Sequence, residues 1–372
     1  MGLADYLRYT GDTKFVRPML PVARRAVRFF ATHPADGVLF TTGTYDQKPG
    51  YNWHPPDKAA GVDAYTNEAY YGALRSLASL ERSVAKNPAA ATALDGRATQ
   101  VRAALLRNMW DPKTGAMLLN TDDPKRDHSS DANAGALLFG LLGKGQAESA
   151  MAFLKKRLGT PYGTATSEYS NNPYMTQQLS PYVMAQESLG RFRYGDGLGA
   201  LRLIRTAWDH MIRNGPGTPW EQSAVDGTPG GAGTGTGGGA DLAHAWSTAV
   251  PALSMDVLGI RPEADGYQRW AVRPDLVDLS WAQGVVPVPG GTISVRWKRG
   301  QGDGSFVLTV DSPKRATGQI AVPLRGHDRT IAMDGRTVWQ DGRPANGAQA
   351  RQEGDSIVFG YMQGDHTFAW SS

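Results

Sequence analysis

The chain has 372 residues, room for about two domains. Lys and Arg number 39 against 35 Asp and Glu, a net charge of +4, with no basic run of the kind that holds a nucleic acid. Hydrophobic residues make up 41%, too many for a disordered chain, and the lack of cysteine excludes a disulfide framework, thiolate metal ligation and cysteine catalysis. No apolar run approaches the ~20 residues that a bilayer-crossing helix needs. The opening MGLADYLRYTGD lacks the basic and apolar regions of a signal peptide. Neither a membrane nor a nucleic-acid partner is expected, and the chain is cytoplasmic by default unless preceding sequence carries a signal.

Residues 3–9 read as the tail of a helix. Val16, Leu20, Ala23, Val27 and Phe30 then form a stripe of helical period, with Asp12 or Thr13 as its N-cap. Pro18 falls in the first turn, and Pro21 is expected to bend the helix. Residues 35–62 form a long loop holding Tyr45, Asp46, Tyr51, Asn52, Trp53 and His54, and loops of that length in compact domains are usually functional or disordered. Helical stripes resume at Tyr70, Leu74, Leu77 and Leu80, and again at Leu94, Ala98, Val101, Leu105 and Met109. Two shorter helices are predicted near 130–142 and 145–157. Met175, Leu179, Tyr182 and Leu189 mark a sixth across Pro181, and Leu201, Ile204, Trp208 and Met211 a seventh. Residues 215–240 are a second non-helical stretch, starting at Pro219-Trp220-Glu221 and running into a glycine-rich tract. The eighth helix holds Leu242, Trp246, Ala249, Leu253 and Val257, with Asp241 as cap and Gly259 as its left-handed end.

After Gly259 the apolar period drops to two. Strands are predicted at 268–273, 282–288, 291–298, 305–310, 317–322, 329–333, 336–340, 356–361 and 366–370, divided by turn signals such as Asp334-Gly335 and Asp341-Gly342. Helices followed by many short strands imply two separate layers rather than interleaved βαβ units. The chain is therefore read as an α+β multidomain protein, with a helical domain at 1–258 and a β-sandwich at 259–372.

The glycine tract contains a formal G-x-G-x-x-G match at Gly233, Gly235 and Gly238, but no strand precedes it, so it reads as a loop. There is no Walker A, H-E-x-x-H or G-x-S-x-G pattern, and the seven histidines are scattered without metal-ligand spacing. No metal and no cofactor is expected. Carboxylate chemistry is left. Glu221 follows Trp220 and opens a long loop, and an acid beside an indole is partly desolvated, a setting for general acid or base work. The competing reading is a capping or surface Glu. Trp53 and Trp220 could stack on the C–H face of a sugar, the alternative being core packing.

Trp220-Glu221, followed by Leu242-Ala243-His244-Ala245-Trp246-Ser247 and then Val257-Leu258-Gly259-Ile260-Arg261-Pro262, resembles the bacterial α-L-rhamnosidases of glycoside hydrolase family 78. Gly266-Tyr267, Trp281-Ala282-Gln283-Gly284 and Pro287-Val288-Pro289-Gly290-Gly291 are similar to the start of that family's sandwich. Tyr9-Thr10-Gly11-Asp12 and Tyr70-Tyr71-Gly72-Ala73-Leu74 match its barrel motifs. The resemblance implies a six-hairpin (α/α)6 barrel followed by an antiparallel β-sandwich, and inverting hydrolysis of terminal α-L-rhamnosyl residues. An inverting site needs one acid for the leaving oxygen and a second carboxylate, ~6.5–9.5 Å away, to activate water. Glu221 occupies the family's general-base position, His244 matches a histidine lining the sugar site, and Trp53 matches a tryptophan facing the sugar. Asp46, Asn52, His54 and Trp220 complete the implied substrate-binding set for a rhamnose-containing glycoside.

Two departures from the family carry weight. Asn52 stands where the family usually has Asp, and an amide can hydrogen-bond a hydroxyl but cannot carry charge. The family's general acid lies upstream of the Tyr-Thr-Gly-Asp motif, which here begins at residue 9. Eight helices and a stub also stand where a full barrel has twelve. An N-terminally truncated barrel is thus expected, with Asp46 and Glu168 as fallback acids. Apolar helix faces left open by truncation would favour self-association. The alternatives are a catalytically incomplete carbohydrate-binding homologue or fragment, and a polysaccharide lyase on the same barrel, for which Tyr45, Asn52 and His54 could serve.

Overall fold

The structure, a computed structural model, describes residues 1–32, 34–35, 37–40, 61–230, 249–326 and 329–371. Contacts divide the chain into two compact units, one of Met1 with Arg17–Ala249 and the other of Gly2–Val16 with Val250–Ser372.

Two helices open the chain, and from within the second onward helices build the first unit. Helix α1 covers Gly2–Thr10 and α2 Thr13–Phe29, with the Asp12 carboxylate accepting from the Phe15 amide at 3.0 Å. Pro18 and Pro21 both lie inside α2, which runs on through them. A short hairpin of β1 (Pro34–Ala35) and β2 (Leu39–Phe40) leads to α3 (Ala64–Leu80), and Phe40 is tied to α3 by two bonds with the Asn67 amide at 2.7 and 3.0 Å. Then follow α4 (Pro88–Met109), the hairpin β3 (Trp110–Asp111) and β4 (Ala116–Met117), α5 (Ser130–Leu138) and α6 (Lys144–Phe153). Next come β5 (Gly159–Thr160) paired with β6 (Gly163–Thr164), α7 (Pro181–Arg193) and α8 (Gly197–Asn214). Helix α6 continues as a π-turn over Leu154–Leu158.

Burial sorts these helices into two rings. In α5, Ser130 through Leu137 are all buried, and α7 is buried from Pro181 to Phe192 apart from Tyr182 and Leu189. A helix buried on every side belongs in an interior layer. By contrast, α8 buries one stripe, Gly197, Ala200, Leu201, Ile204, Ala207, Trp208 and Met211, as an outer helix does. Helix α3 packs on α4 and α5, α5 on α7, and α7 on α8, so α3, α5 and α7 are inner and α4 and α8 outer.

Two helix boundaries differ from the sequence reading. The sixth helix begins at Pro181, leaving Met175 and Leu179 outside it, because Ser180 caps it and proline belongs in the first turn. The helix expected over 130–142 stops at Leu138, and Gly140 turns left-handed at φ +69°. Of the eighth, residues 241–248 lie outside the described set, and the described part is α9 (Val250–Ala252) and a π-turn over Leu253–Val257.

The second unit is an antiparallel β-sandwich. Its strands are β7 (Ile260–Pro262), β8 (Arg269–Val272), β9 (Trp281–Val288), β10 (Gly291–Arg299), β11 (Ser305–Asp311), β12 (Thr317–Pro323), β13 (Ile331–Met333), β14 (Arg336–Gln340), β15 (Arg343–Pro344), β16 (Ala350–Glu353), β17 (Ser356–Met362) and β18 (His366–Ser371). One sheet runs β15-β14-β13-β18-β11-β10-β9 and the other β16-β17-β12-β8-β7, with β8–β12 the parallel pair. Ile293, Val295 and Trp297 of β10 point inward from a strand whose alternate residues are open, the period-two pattern of a half-buried strand. Phe359 and Phe368 meet at 4.9 Å between centroids and link the two sheets. Strands β7, β15 and β16 were not expected. Gly259 has φ +79°, and a Cβ there would stand 2.2 Å from the Arg273 carbonyl carbon, so the turn into β7 admits only glycine. Helix α1 belongs to this unit: Tyr9 packs edge-on to Tyr267 at 5.7 Å.

Candidate active site

The N-terminal ends of the inner helices gather at one end of the helical unit. Asp63 caps α3, accepting from the Thr66 amide at 2.7 Å, and pairs as an isolated bridge with Asn120 on the way to α5. Leu179, directly before the Ser180 cap of α7, bridges to Ala165 on one side and to Ser223 on the other. The Leu179–Ser223 bridge has both amide bonds, at 2.7 and 3.1 Å. Glu221 lies two residues before Ser223, half-buried, on the segment that this bridge fastens to the start of α7. Helix N-termini carry partial positive charge and free amides, so this rim suits carboxylates and polar ligands.

Polar side chains line the rim. Asp127 accepts from the Glu168 amide at 3.0 Å, from the Asn172 side chain at 2.9 Å and from the Ser167 hydroxyl. Asp123 accepts from the Asp127 amide and from Asn172. Gln178 donates to Gln222 at 3.1 Å, joining the residues ahead of α7 to those beside Glu221. Burial lifts the Asp127 pKa, and its three donors offset only part of the rise.

His128 is wedged between two carboxylates, Nδ1 at 2.9 Å from Glu168 Oε2 and Nε2 at 3.1 Å from Asp111 Oδ2. Burial opposes its charge, but the hydrogen bonds and negative charges of Glu168 and Asp111 win, and its pKa stands above the usual imidazole value. Burial also works against Asp111, yet the Lys113 amide, the Thr114 hydroxyl and His128 pull it down to about 2. Glu168 is likewise lowered: burial raises it, and His128 and Arg157 more than compensate.

Glu68 behaves oppositely. It lies on α3 against α5, fully buried, with neither carboxyl oxygen hydrogen-bonded. Burial, reinforced by the charges of Asp131 and Asp63, raises its pKa well above the usual value and favours the neutral form. A Cβ at Gly135 would stand 2.1 Å from Glu68 Oε2, so the glycine makes room for the carboxyl.

Of the residues singled out by sequence, Asp46, Asn52, Trp53, His54 and His244 lie outside the described residues. Trp220 is fully buried, edge-on to His210 at 5.6 Å, with its amide donating to Met211 Sδ. Its ring thus packs against α8 beneath the Glu221 segment and offers no open face for a sugar. Glu168 lies at the rim, but both its oxygens are occupied, and a lowered pKa suits a fixed anion rather than a proton donor. Sequence reasoning missed Glu68, Asp127 and His128. The signal was the polar run Asp127-His128-Ser129-Ser130-Asp131 set directly ahead of an apolar helix. Among the described residues no group of His, Asp and Glu is placed to hold a metal ion, and no helix is long and apolar enough to cross a membrane.

Comparison with known proteins agrees with this architecture. Residues 3–182 match the family model of mannosylglycerate hydrolase MGH1-like glycoside hydrolase domains, and residues 259–335 that of the bacterial α-L-rhamnosidase C-terminal domain. Two stretches of the chain thus match a glycoside-hydrolase domain and a rhamnosidase-type β-domain, and the fold is that of the six-hairpin rhamnosidases. Among solved structures it is similar to α-L-rhamnosidases. That of Dictyoglumus thermophilum has TM-score 0.74 and 16% identity over 99% of this chain and 39% of that one. The Streptomyces avermitilis enzyme, complexed with L-rhamnose, has TM-score 0.70 and 18% identity over 98% and 32%. A family 78 rhamnosidase of Bacillus sp. GL1 has TM-score 0.67 and 22% identity over 85% and 32%. These likenesses are of fold, and the chain spans 32–39% of the length of those structures. The search of curated proteins finds no match.

Proposed function

We propose that this chain carries the water-activating half of an inverting α-L-rhamnosidase site, with Glu221 as general base and a terminal α-L-rhamnosyl group as substrate. The observation that carries the reading is the position of Glu221: half-buried, at the rim where the inner helices begin, on a segment bonded to Leu179. Trp220, locked against α8, fixes the backbone that presents the carboxylate. The solved structures complexed with rhamnose, those of Streptomyces avermitilis and Klebsiella oxytoca, support the choice of sugar. Asp46, Asn52, Trp53, His54 and His244 are assigned to sugar binding, and the helical region, residues 1–258, to catalysis.

The test is Glu221→Gln assayed on an aryl α-L-rhamnoside, whose leaving group needs little protonation. Removing a general base costs about 10²–10⁴-fold in rate. Rhamnose should be released as the inverted anomer by the unaltered chain, and release should fall by that factor in the variant while rhamnose still binds. Release at the unaltered rate would refute the assignment.

A further inference from the structure

A cavity of about 530 Å³ opens beside His128, between the β3–β4 hairpin, α6 and the segment ahead of α7. That volume falls within the range of about 300–1,000 Å³ typical of small-molecule sites. Its wall is charged but internally settled at depth. Glu168 spends one oxygen on His128 and the other on Arg157, and Asp111 is held by His128, Thr114 and the Lys113 amide. The His128 ring and the Arg157 guanidinium therefore answer the two carboxylates.

Lys156 is left over. It is exposed on the same wall and has neither a hydrogen bond nor an ion pair among the described residues. Lys125 stands outside this lining, its ammonium 5.7 Å from the centre of the Tyr169 ring. The remaining lining is of another kind. Half-buried Tyr169 supplies aromatic surface, with Phe153 buried behind His128 at 5.4 Å, and Thr114 and Ser149 supply hydroxyls.

The combination selects among ligands. A bare inorganic anion would satisfy Lys156 and leave the aromatic surface unused. A neutral sugar would use the ring and hydroxyls and leave the ammonium unanswered. A sugar bearing a carboxylate uses all three, with its C–H face on Tyr169, its hydroxyls on Thr114 and Ser149, and its charge on Lys156 and the exposed edge of Arg157. We propose that this cavity is an accessory binding site for a uronate, a carboxylated monosaccharide unit. It lies at the same end of the helical unit as Glu221, because His128 directly precedes α5 and Glu168 lies in the segment leading to α7.

The test is a calorimetric and NMR titration of the full chain with galacturonate, galactose and inorganic phosphate. Galacturonate should bind at least about tenfold tighter than galactose, and its affinity should fall with added salt. Lys156→Gln, on an exposed side chain, should lose about tenfold for galacturonate and nothing for galactose. Tyr169→Ala should weaken both sugars with unchanged circular dichroism. Equal binding of galactose and galacturonate, an unchanged affinity in Lys156→Gln, or phosphate binding as tightly as galacturonate would each overturn the proposal. Glu221→Gln should leave this binding intact, so failure here and failure of the rhamnosidase reading are read separately.

Discussion

Replacing Glu68 by Gln tests the electrostatics of the rim directly. In the folded chain the pKa of Glu68 is raised well above the usual value, because burial and the charges of Asp131 and Asp63 oppose ionisation and neither oxygen has a hydrogen-bond donor. In the unfolded chain it ionises near the usual value of 4.5. Above that pH the unfolded state has released a proton that the folded state still holds, so stability falls as pH rises. The slope is about 1.4 kcal/mol per pH unit, and it persists until the folded carboxyl itself ionises. Glutamine has nearly the same shape and no proton to lose. Urea unfolding followed by far-UV circular dichroism, from about pH 5 upward, should show this downward slope reduced by about 1.4 kcal/mol per unit in Glu68→Gln until the folded carboxyl ionises. Glu68→Leu should flatten it equally and also relieve the unsatisfied polar oxygens, a gain of about 1–3 kcal/mol near neutral pH. Parallel curves for the unaltered chain and Glu68→Gln would show that Glu68 is ionised and paired, and the reasoning would fail.

Four further expectations follow from the structure. Gly135→Ala adds a methyl 2.1 Å from Glu68 Oε2, so it should destabilise by about 1–3 kcal/mol, as a shifted thermal midpoint would show, although alanine is otherwise the better helix former. His128, raised above 6.5, adds stability that is fully present below that pH and lost as pH rises through its folded value. Asp111, lowered to about 2, adds stability present above 3.8 and lost as pH falls toward 2. His128→Asn should abolish the first of these pH steps in chemical denaturation. Helix α2 leaves Phe15, Met19 and Val22 exposed, so the chain should self-associate as its concentration rises, and a sharp monomer peak on size-exclusion chromatography at high concentration would refute that.

Much of the fold was legible because period is a direct record of burial. The alternation of Ile293, Val295 and Trp297 with open residues appears in the structure as the inward face of β10, and the stripe from Leu201 to Met211 as the buried side of α8. Prediction failed where a helix has no dry and wet sides. Met175 and Leu179 read as helix because apolar residues at the right spacing look alike in a helix and in a buried bridge, and only the Ser180-Pro181 pair marks the true start. The short strands β7, β15 and β16 carry too few residues to display a period at all. Trp220 was legible as important and illegible in role: a tryptophan beside a loop acid looks the same whether its ring faces a sugar or, as here, lies beneath the chain against His210.

The buried acids explain why the rim itself was hardest to read. Glu68 and Glu168 are both withdrawn from solvent and both belong to the end where the inner helices start, yet the pKa of one is raised and that of the other lowered. Depth does not decide between them. Glu168 receives the His128 amide, the His128 ring and the Arg157 guanidinium, enough donors to hold a charge out of water. Glu68 faces Gly135 and the negative charges of Asp131 and Asp63, and receives none. Those donors come from residues 40 and 11 positions distant in the chain from Glu168, so no local pattern around either glutamate reveals its charge. The same separation gives the end of the ring its chemical range, since fixed anions and an acid of raised pKa coexist where the Glu221 segment enters.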